Sequence, residues 1–81
     1  MSLHLQPVQV ATGSPDQDGQ LVFHNGCLAA VLVRLSDLHE NEAGQWFLEV
    51  GFGPVGTASA PAFADLEEAQ SWIEQRLTLP A

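Results

Sequence analysis

The dipeptide Asn25-Gly26 lies between two apolar runs and constrains the fold more than any other feature of the sequence. Asn-Gly suits a type I′ turn, because both central residues of that turn need positive φ. A two-residue turn places His24 opposite Cys27 and extends the pairing outward from there. We therefore predict a β-hairpin with strands over residues 20–24 and 27–35.

Two more strands are predicted on either side of this hairpin. Residues 3–10 favour a strand, but Pro7 interrupts their alternation and indicates an edge strand with a bulge or break. In residues 45–52 a large apolar side chain recurs at every second position, which is typical of a half-buried strand. The intervening residues 12–19 and 36–44 are rich in turn-forming and polar residues, so we expect loops there.

A C-terminal helix is predicted over residues 65–78. Asp65 is a good N-cap residue, and Glu68 three positions later completes a capping box. Five apolar residues recur at helical spacing and form one stripe: Leu66, Ala69, Trp72, Ile73 and Leu77. The predicted fold is α+β, a single domain over residues 1–81. It is an antiparallel three- to four-stranded β-meander with one C-terminal α-helix packed on one face.

Uninterrupted pairing through the hairpin assigns its side chains to two faces. The face that we expect the helix to cover carries Leu21, Phe23, Leu28, Ala30, Leu32, Trp46, Leu48, Val50 and Phe52. The opposite face would form a possible interface of Val22, Ala29, Val31, Val33 and Phe47. A slip of one residue in the register would exchange the two faces.

Charge excludes more functions than any motif does. The chain has ten acidic residues, two arginines and no lysine, so its net charge is −8. Nucleic-acid binding depends largely on basic side chains that contact phosphates, and an anionic membrane surface attracts basic segments in the same way. We therefore expect no nucleic-acid and no membrane partner. The first residues lack the basic and apolar regions of a signal peptide, so we expect a cytoplasmic protein.

Residues 51–56, Gly-Phe-Gly-Pro-Val-Gly, match the glycine pattern of a dinucleotide-binding loop. That loop needs a helix that begins within the motif, so that its first amide groups meet the pyrophosphate. Here we expect Pro54 and the small residues after it to keep the chain extended up to the predicted helix, and no strand is predicted after that helix. We therefore interpret the glycines as a bend at the end of a strand and expect no cofactor.

The other candidate sites are sparse. His39, Glu40 and Glu42 could ligate a divalent metal, but a dedicated zinc site gathers three or four ligands from rigid elements. His24 and Glu49 fall on the same predicted face and could form a titrating pair or a general base.

Nucleophilic catalysis has one further candidate in the sequence. Cys27 is the single cysteine of the chain, and it lies beside His24 across the predicted turn. It has no neighbouring cation to activate it as a nucleophile, so we expect a small core residue. We predict no catalytic residues and no enzymatic activity.

The segments LAAVLVRL, GQWFLEVGFGP and FADLEEAQSWIEQRL resemble those of small bacterial hypothetical proteins of unassigned function, over about residues 20–78. This resemblance rests on no catalytic motif and implies no activity. Three strands and a helix are also similar to the amino-terminal DNA-binding domains of phage integrases. Those domains read DNA with basic sheet residues that this chain lacks.

The sequence thus favours a non-enzymatic interaction module or a homodimeric subunit. The reason is that the predicted sheet has more apolar surface than one helix can cover. Two alternatives stay open. One is a small-ligand or metal-binding protein that uses the His24 and Glu49 region or the loop over residues 37–42. The other is an acidic protein that binds a basic partner.

The charge of the chain generates the first testable prediction. We expect no binding to duplex DNA or RNA in a gel-shift assay at about 150 mM salt, since no basic stripe is available to contact phosphates. Submicromolar affinity under these conditions would contradict it.

Overall fold

The hairpin predicted at Asn25-Gly26 forms the centre of the sheet in the computed structural model, which describes residues 3–57 and 59–78. Four antiparallel strands lie in chain order: β1 Leu3–Gln9, β2 Asp18–His24, β3 Cys27–Arg34 and β4 Trp46–Gly51. A 3-10 helix, Asp37–Glu42, connects β3 to β4, and a second, Gly53–Thr57, follows β4. The helix α1 is Leu66–Thr78.

The predicted α+β fold class is confirmed. Asn25 and Gly26 have φ of 52° and 81°, which is the backbone that a type I′ turn requires, and His24 pairs with Cys27 as predicted. Asp65 Oδ1 accepts a hydrogen bond of 2.8 Å from the Glu68 amide, so the predicted cap is also present. Within the described part of the chain, no helix has the length and apolar character needed to cross a membrane.

Two β-bulges make the register differ from the predicted one. The pairing of β2 with β3 shifts between Val22 and Phe23, so that Ala29 is an extra residue in β3. The pairing of β3 with β4 shifts between Val31 and Leu32, so that Glu49 is an extra residue in β4. Each bulge moves the residues beyond it to the other face relative to an uninterrupted ladder.

The bulges correct the predicted faces. Val22 pairs with Leu5 and Ala30, is fully buried and belongs to the core on the helix side, so its assignment to the open interface is wrong. Leu21 and Val50 both pair with Val31, on the face away from the helix. The prediction places Val31 on that face but Leu21 and Val50 on the helix face, so it is wrong for these two residues. Phe23 and Leu28, which pair with each other, lie on this opposite face as well.

Pro7 does not break β1. The ladder with β2 runs without a shift from Leu3 to Gln9, with Pro7 opposite Gln20. Pro7 is tolerated because β1 is an edge strand, where a missing amide donor need not cost a ladder hydrogen bond. The predicted interruption is therefore wrong, and Val8 simply lies on the other face from Leu5.

The core lies between the inner face of the sheet, the second 3-10 helix and α1. Its fully buried residues come from these three layers and from the segment before α1: Val22, Ala30, Leu32, Val55, Phe63, Ala69 and Ile73. The second 3-10 helix contacts β3, β4 and α1, so Val55 fills the space between sheet and helix. Trp72 packs on Phe63 with ring centroids 5.7 Å apart.

The segment before α1 also closes one edge of the sheet. Trp46 and Phe63 exchange two backbone hydrogen bonds of 2.8 Å as an isolated antiparallel bridge beside β4. This bridge fixes the backbone of Phe63 at the sheet edge while its ring, with 1% exposure, enters the core. The edge pairing and the core packing therefore depend on the same residue.

The loss of stability caused by substitutions at Phe63 and Trp72 should increase with the burial of the residue replaced. We expect Phe63→Ala to destabilise the protein by about 3–5 kcal/mol, which would leave a domain this small mostly unfolded. Trp72→Ala should cost less, because Trp72 is only half-buried. Urea unfolding followed by circular dichroism measures both. A Trp72→Ala variant less stable than Phe63→Ala would show that the helix, rather than the sheet edge, anchors the core.

Candidate functional site

The glycine motif over residues 51–56 packs against itself. A Cβ built on Gly51 would lie 2.9 Å from the Gly56 nitrogen, and a Cβ on Gly56 would collide with the Gly51 carbonyl oxygen. Gly53 has φ of +56°, a conformation that glycine adopts without strain. The motif thus turns the chain sharply from β4 into the 3-10 helix Gly53–Thr57, and α1 begins only at Leu66. No α-helix begins within this fully described motif to meet a phosphate.

The sheet face away from α1 is the main surface that the fold leaves available. We call it the outer face and define it by cross-strand rows of paired residues. The rows are Val8, Gly19, Val33 and Phe47; Gln6, Leu21, Val31 and Val50; and His4, Phe23 and Leu28. Most of its side chains are apolar, and the core that contains the buried residues of α1 lies on the other side of the sheet.

Exposure varies strongly across the outer face. Phe47 and Val50, both on β4, are 44% and 41% exposed and are two of the three exposed large hydrophobic residues of the described chain. The third, Phe52, is 47% exposed and follows β4 directly. Val33, by contrast, is 1% exposed, although it is the direct partner of Phe47. Of the predicted interface residues, Val31, Val33 and Phe47 therefore lie on this face, but Val33 is covered.

Ala29 is the remaining predicted interface residue. It is the bulged residue of β3 and is 6% exposed, so it offers almost no surface to a partner. Its carbonyl accepts a hydrogen bond of 2.9 Å from the Phe52 amide. Ala29 therefore connects β3 to the end of β4.

A pocket of about 350 Å³ opens on the outer face beside Phe47. Its lining contains five apolar residues, two hydroxyl residues and three acids: Val33, Leu35, Phe47, Ala60, Ala62, Thr12, Ser14, Asp16, Glu42 and Glu49. These residues come from the loop between β1 and β2, from β3, from the first 3-10 helix, from β4 and from the segment before α1. The pocket is therefore built by the tertiary fold.

The loop between β1 and β2 forms one wall of this pocket and is held in place by its own hydrogen bonds. Thr12 Oγ1 donates to the Asp16 carbonyl at 2.9 Å. Asp16 Oδ1 accepts a hydrogen bond of 2.7 Å from the Ser36 amide, which ties the loop to the end of β3. The sequence TGSPDQDG predicts a turn here, but nothing in it indicates that the turn reaches across to Ser36.

Two of the three acids in the pocket have no side-chain partner among the described residues. The carboxylates of Glu42 and Glu49 form no hydrogen bond and no ion pair with any described residue, and both residues are exposed. Glu49 is the bulged residue of β4. Phe47 and Glu49, two positions apart, line the same pocket, on the face that the alternation of the strand predicts for both.

The candidate pair of His24 and Glu49 does not form. His24 pairs with Leu3, a residue of the inner face, and its ring contacts the Asn25 amide. Glu49 lines the pocket on the outer face, so the expectation that the two share a face is wrong. Cys27 is exposed at the end of the hairpin, and its prediction as a core residue is wrong as well.

The metal candidates lie on the first 3-10 helix. Its backbone is kinked at Glu40, which has φ of 47° and ψ of −99°. The His39 side chain lies outside the described part of the structure, and the described residues contain no group of three His, Cys, Asp or Glu placed to hold a metal ion. Glu42 instead contributes to the acidic pocket.

Comparison of the chain with known protein families, with curated proteins and with solved structures found no match. The resemblance to small bacterial proteins therefore stays a prediction, and the arguments about function depend on the surface just described.

The glycine motif yields a stability prediction. Gly56→Ala should destabilise the protein more than Gly53→Ala, because its Cβ would collide with backbone, which cannot rotate away. A Cβ on Gly53 meets no atom within 4 Å and adds only the strain of a positive φ, about 1–2 kcal/mol. Urea unfolding of both variants checks this order. Equal stability of Gly56→Ala and wild type would mean that the strand and the turn do not approach this closely.

Proposed function

We propose that this chain is a non-enzymatic interaction module whose interface is the outer face of the sheet. The observation that carries the proposal is the exposure of Phe47 and Val50 on a four-stranded sheet that α1 covers on one side only. Contiguous apolar surface of this kind on a small protein marks an interaction site more often than it is left bare.

The distribution of chemically reactive residues supports a binding role. His24 and Cys27 lie at the tip of the hairpin, whereas Glu42 and Glu49 lie at the pocket near Phe47. A nucleophile and a general base need to be within hydrogen-bond reach of each other, with a third group to orient the base. Separated groups of this kind do not supply that arrangement.

The partner can be a second copy of the chain or another protein. A two-fold dimer through the outer face would bury the same apolar residues on both copies. It would also bring together two chains that each carry a net charge of −8. Because repulsion between like charges weakens at high salt, salt should strengthen a dimer and weaken a complex with a basic protein.

Substitution of the two exposed β4 residues tests the proposal. We expect Phe47→Thr together with Val50→Thr to abolish association and to leave the protein folded, since both side chains are exposed and threonine suits a strand. Gln75→Thr, at an exposed position of α1, is the control.

Light scattering at about 10 μM measures self-association, and capture from an extract of the native host detects another protein. A doubled mass identifies a second copy as the partner. A monomer that captures one protein, and loses it only in the double variant, identifies a heteromeric complex. Association that the double variant does not change, or no association of either kind, would contradict the proposal.

A further inference from the structure

We propose that the pocket beside Phe47 receives an arginine side chain from a basic partner protein. This inference rests on the proposed function and specifies the chemistry of the partner. It depends on three observations: the size and apolar walls of the pocket, the carboxylates around it, and the exposed aromatic ring at its side.

The pocket has the size and lining of a side-chain site. Ligand pockets span about 300–1,000 Å³, so a volume of about 350 Å³ is near the lower limit and suits one long side chain better than a cofactor. Ala60 and Ala62, both half-buried, supply apolar walls that can pack against the methylene groups of such a side chain.

The charge of the pocket selects a cation. Asp16, Glu42 and Glu49 reach it from three different segments of the chain, and the described residues of its lining include no basic one. The carboxylates of Glu42 and Glu49 have no partner among the described residues, so a guanidinium group would replace water and no existing ion pair.

Arginine fits the site better than lysine. The guanidinium group is planar, carries donors in a fixed fork and is less strongly hydrated than an ammonium group. It can stack on an aromatic ring while it donates to carboxylates, and Phe47 provides such a ring with 44% exposure next to Glu49.

A second copy of the chain is a poor source of this arginine. Each copy has only two arginines. Arg76 already lies over the Trp72 ring at 4.8 Å, and Arg34, opposite Trp46 in the strand register, belongs to the inner face and not to the outer face. Exposed charge pairs contribute little on their own, so the affinity has to include apolar contacts with the adjoining outer face. Only a macromolecular partner supplies both the arginine side chain and these apolar contacts.

Matched synthetic peptides test the inference. The probe has the central sequence leucine-arginine-leucine, and its control carries citrulline, the neutral analogue of arginine, at the same position. Titration into the labelled protein, followed by amide chemical shifts, gives both the binding site and the affinity. The protein variants are Glu49→Gln and Glu42→Gln, with Glu67→Gln on α1 as a control of equal charge change.

We expect the arginine peptide to shift amides around Phe47 and Glu49 and to bind more tightly than the citrulline peptide. Glu49→Gln and Glu42→Gln should each weaken the arginine peptide about two- to fivefold and leave the citrulline peptide unchanged, whereas Glu67→Gln should change neither. Raising the salt concentration from about 0.05 M to about 0.5 M should weaken only the arginine peptide.

Four outcomes would overturn the inference: equal affinity of the two peptides, shifts at another surface, binding of neither peptide at millimolar concentration, or binding of free agmatine as tightly as the arginine peptide. Equal binding of both peptides at the outer face would refute the arginine site and still support an apolar interface. The proposed function fails separately, through the Phe47→Thr and Val50→Thr variant.

Discussion

The close approach of Gly51 and Gly56 determines how the rest of the molecule is assembled. Because neither residue has a Cβ, the backbone after β4 turns back on itself and forms the 3-10 helix Gly53–Thr57. That helix places Val55 in the core and directs the chain along the edge of β4 to Phe63. The docking of α1, and therefore the distinction between a covered and an uncovered sheet face, depends on this turn.

The sequence predicts the elements of this fold well, because each depends on local chemistry. The Asn25-Gly26 turn requires positive φ, and the helix after Asp65 has a cap and an apolar stripe. The faces of the strands are harder to predict, because one bulge reverses them. Ala29 lies in a run of small and β-branched residues where an extra residue leaves no mark in the pattern. Its bulge is therefore visible only in the pairing with β2.

The pocket could not be predicted for a related reason. Asp16 and Glu49 are separated by more than thirty positions in the chain, and they line one pocket because the loop between β1 and β2 is tied to Ser36 and so reaches the outer face. The sequence indicates the acidic character of the surface and three of the residues on the outer face, Val31, Val33 and Phe47. It does not indicate which carboxylates share a cavity, since that depends on contacts between segments that are distant in sequence.

The two edges of the sheet have a consequence for the solubility of this apolar chain. Free strand edges recruit strands from other molecules and can start fibril growth. Here the backbone of Phe63 already bonds to Trp46 at one edge, and the other edge carries Pro7, which has no amide hydrogen to donate. Continuous sheet extension from one molecule to the next is thus hindered on both sides. The chain can therefore keep an apolar face open while each edge of its sheet carries one obstacle to cross-β pairing.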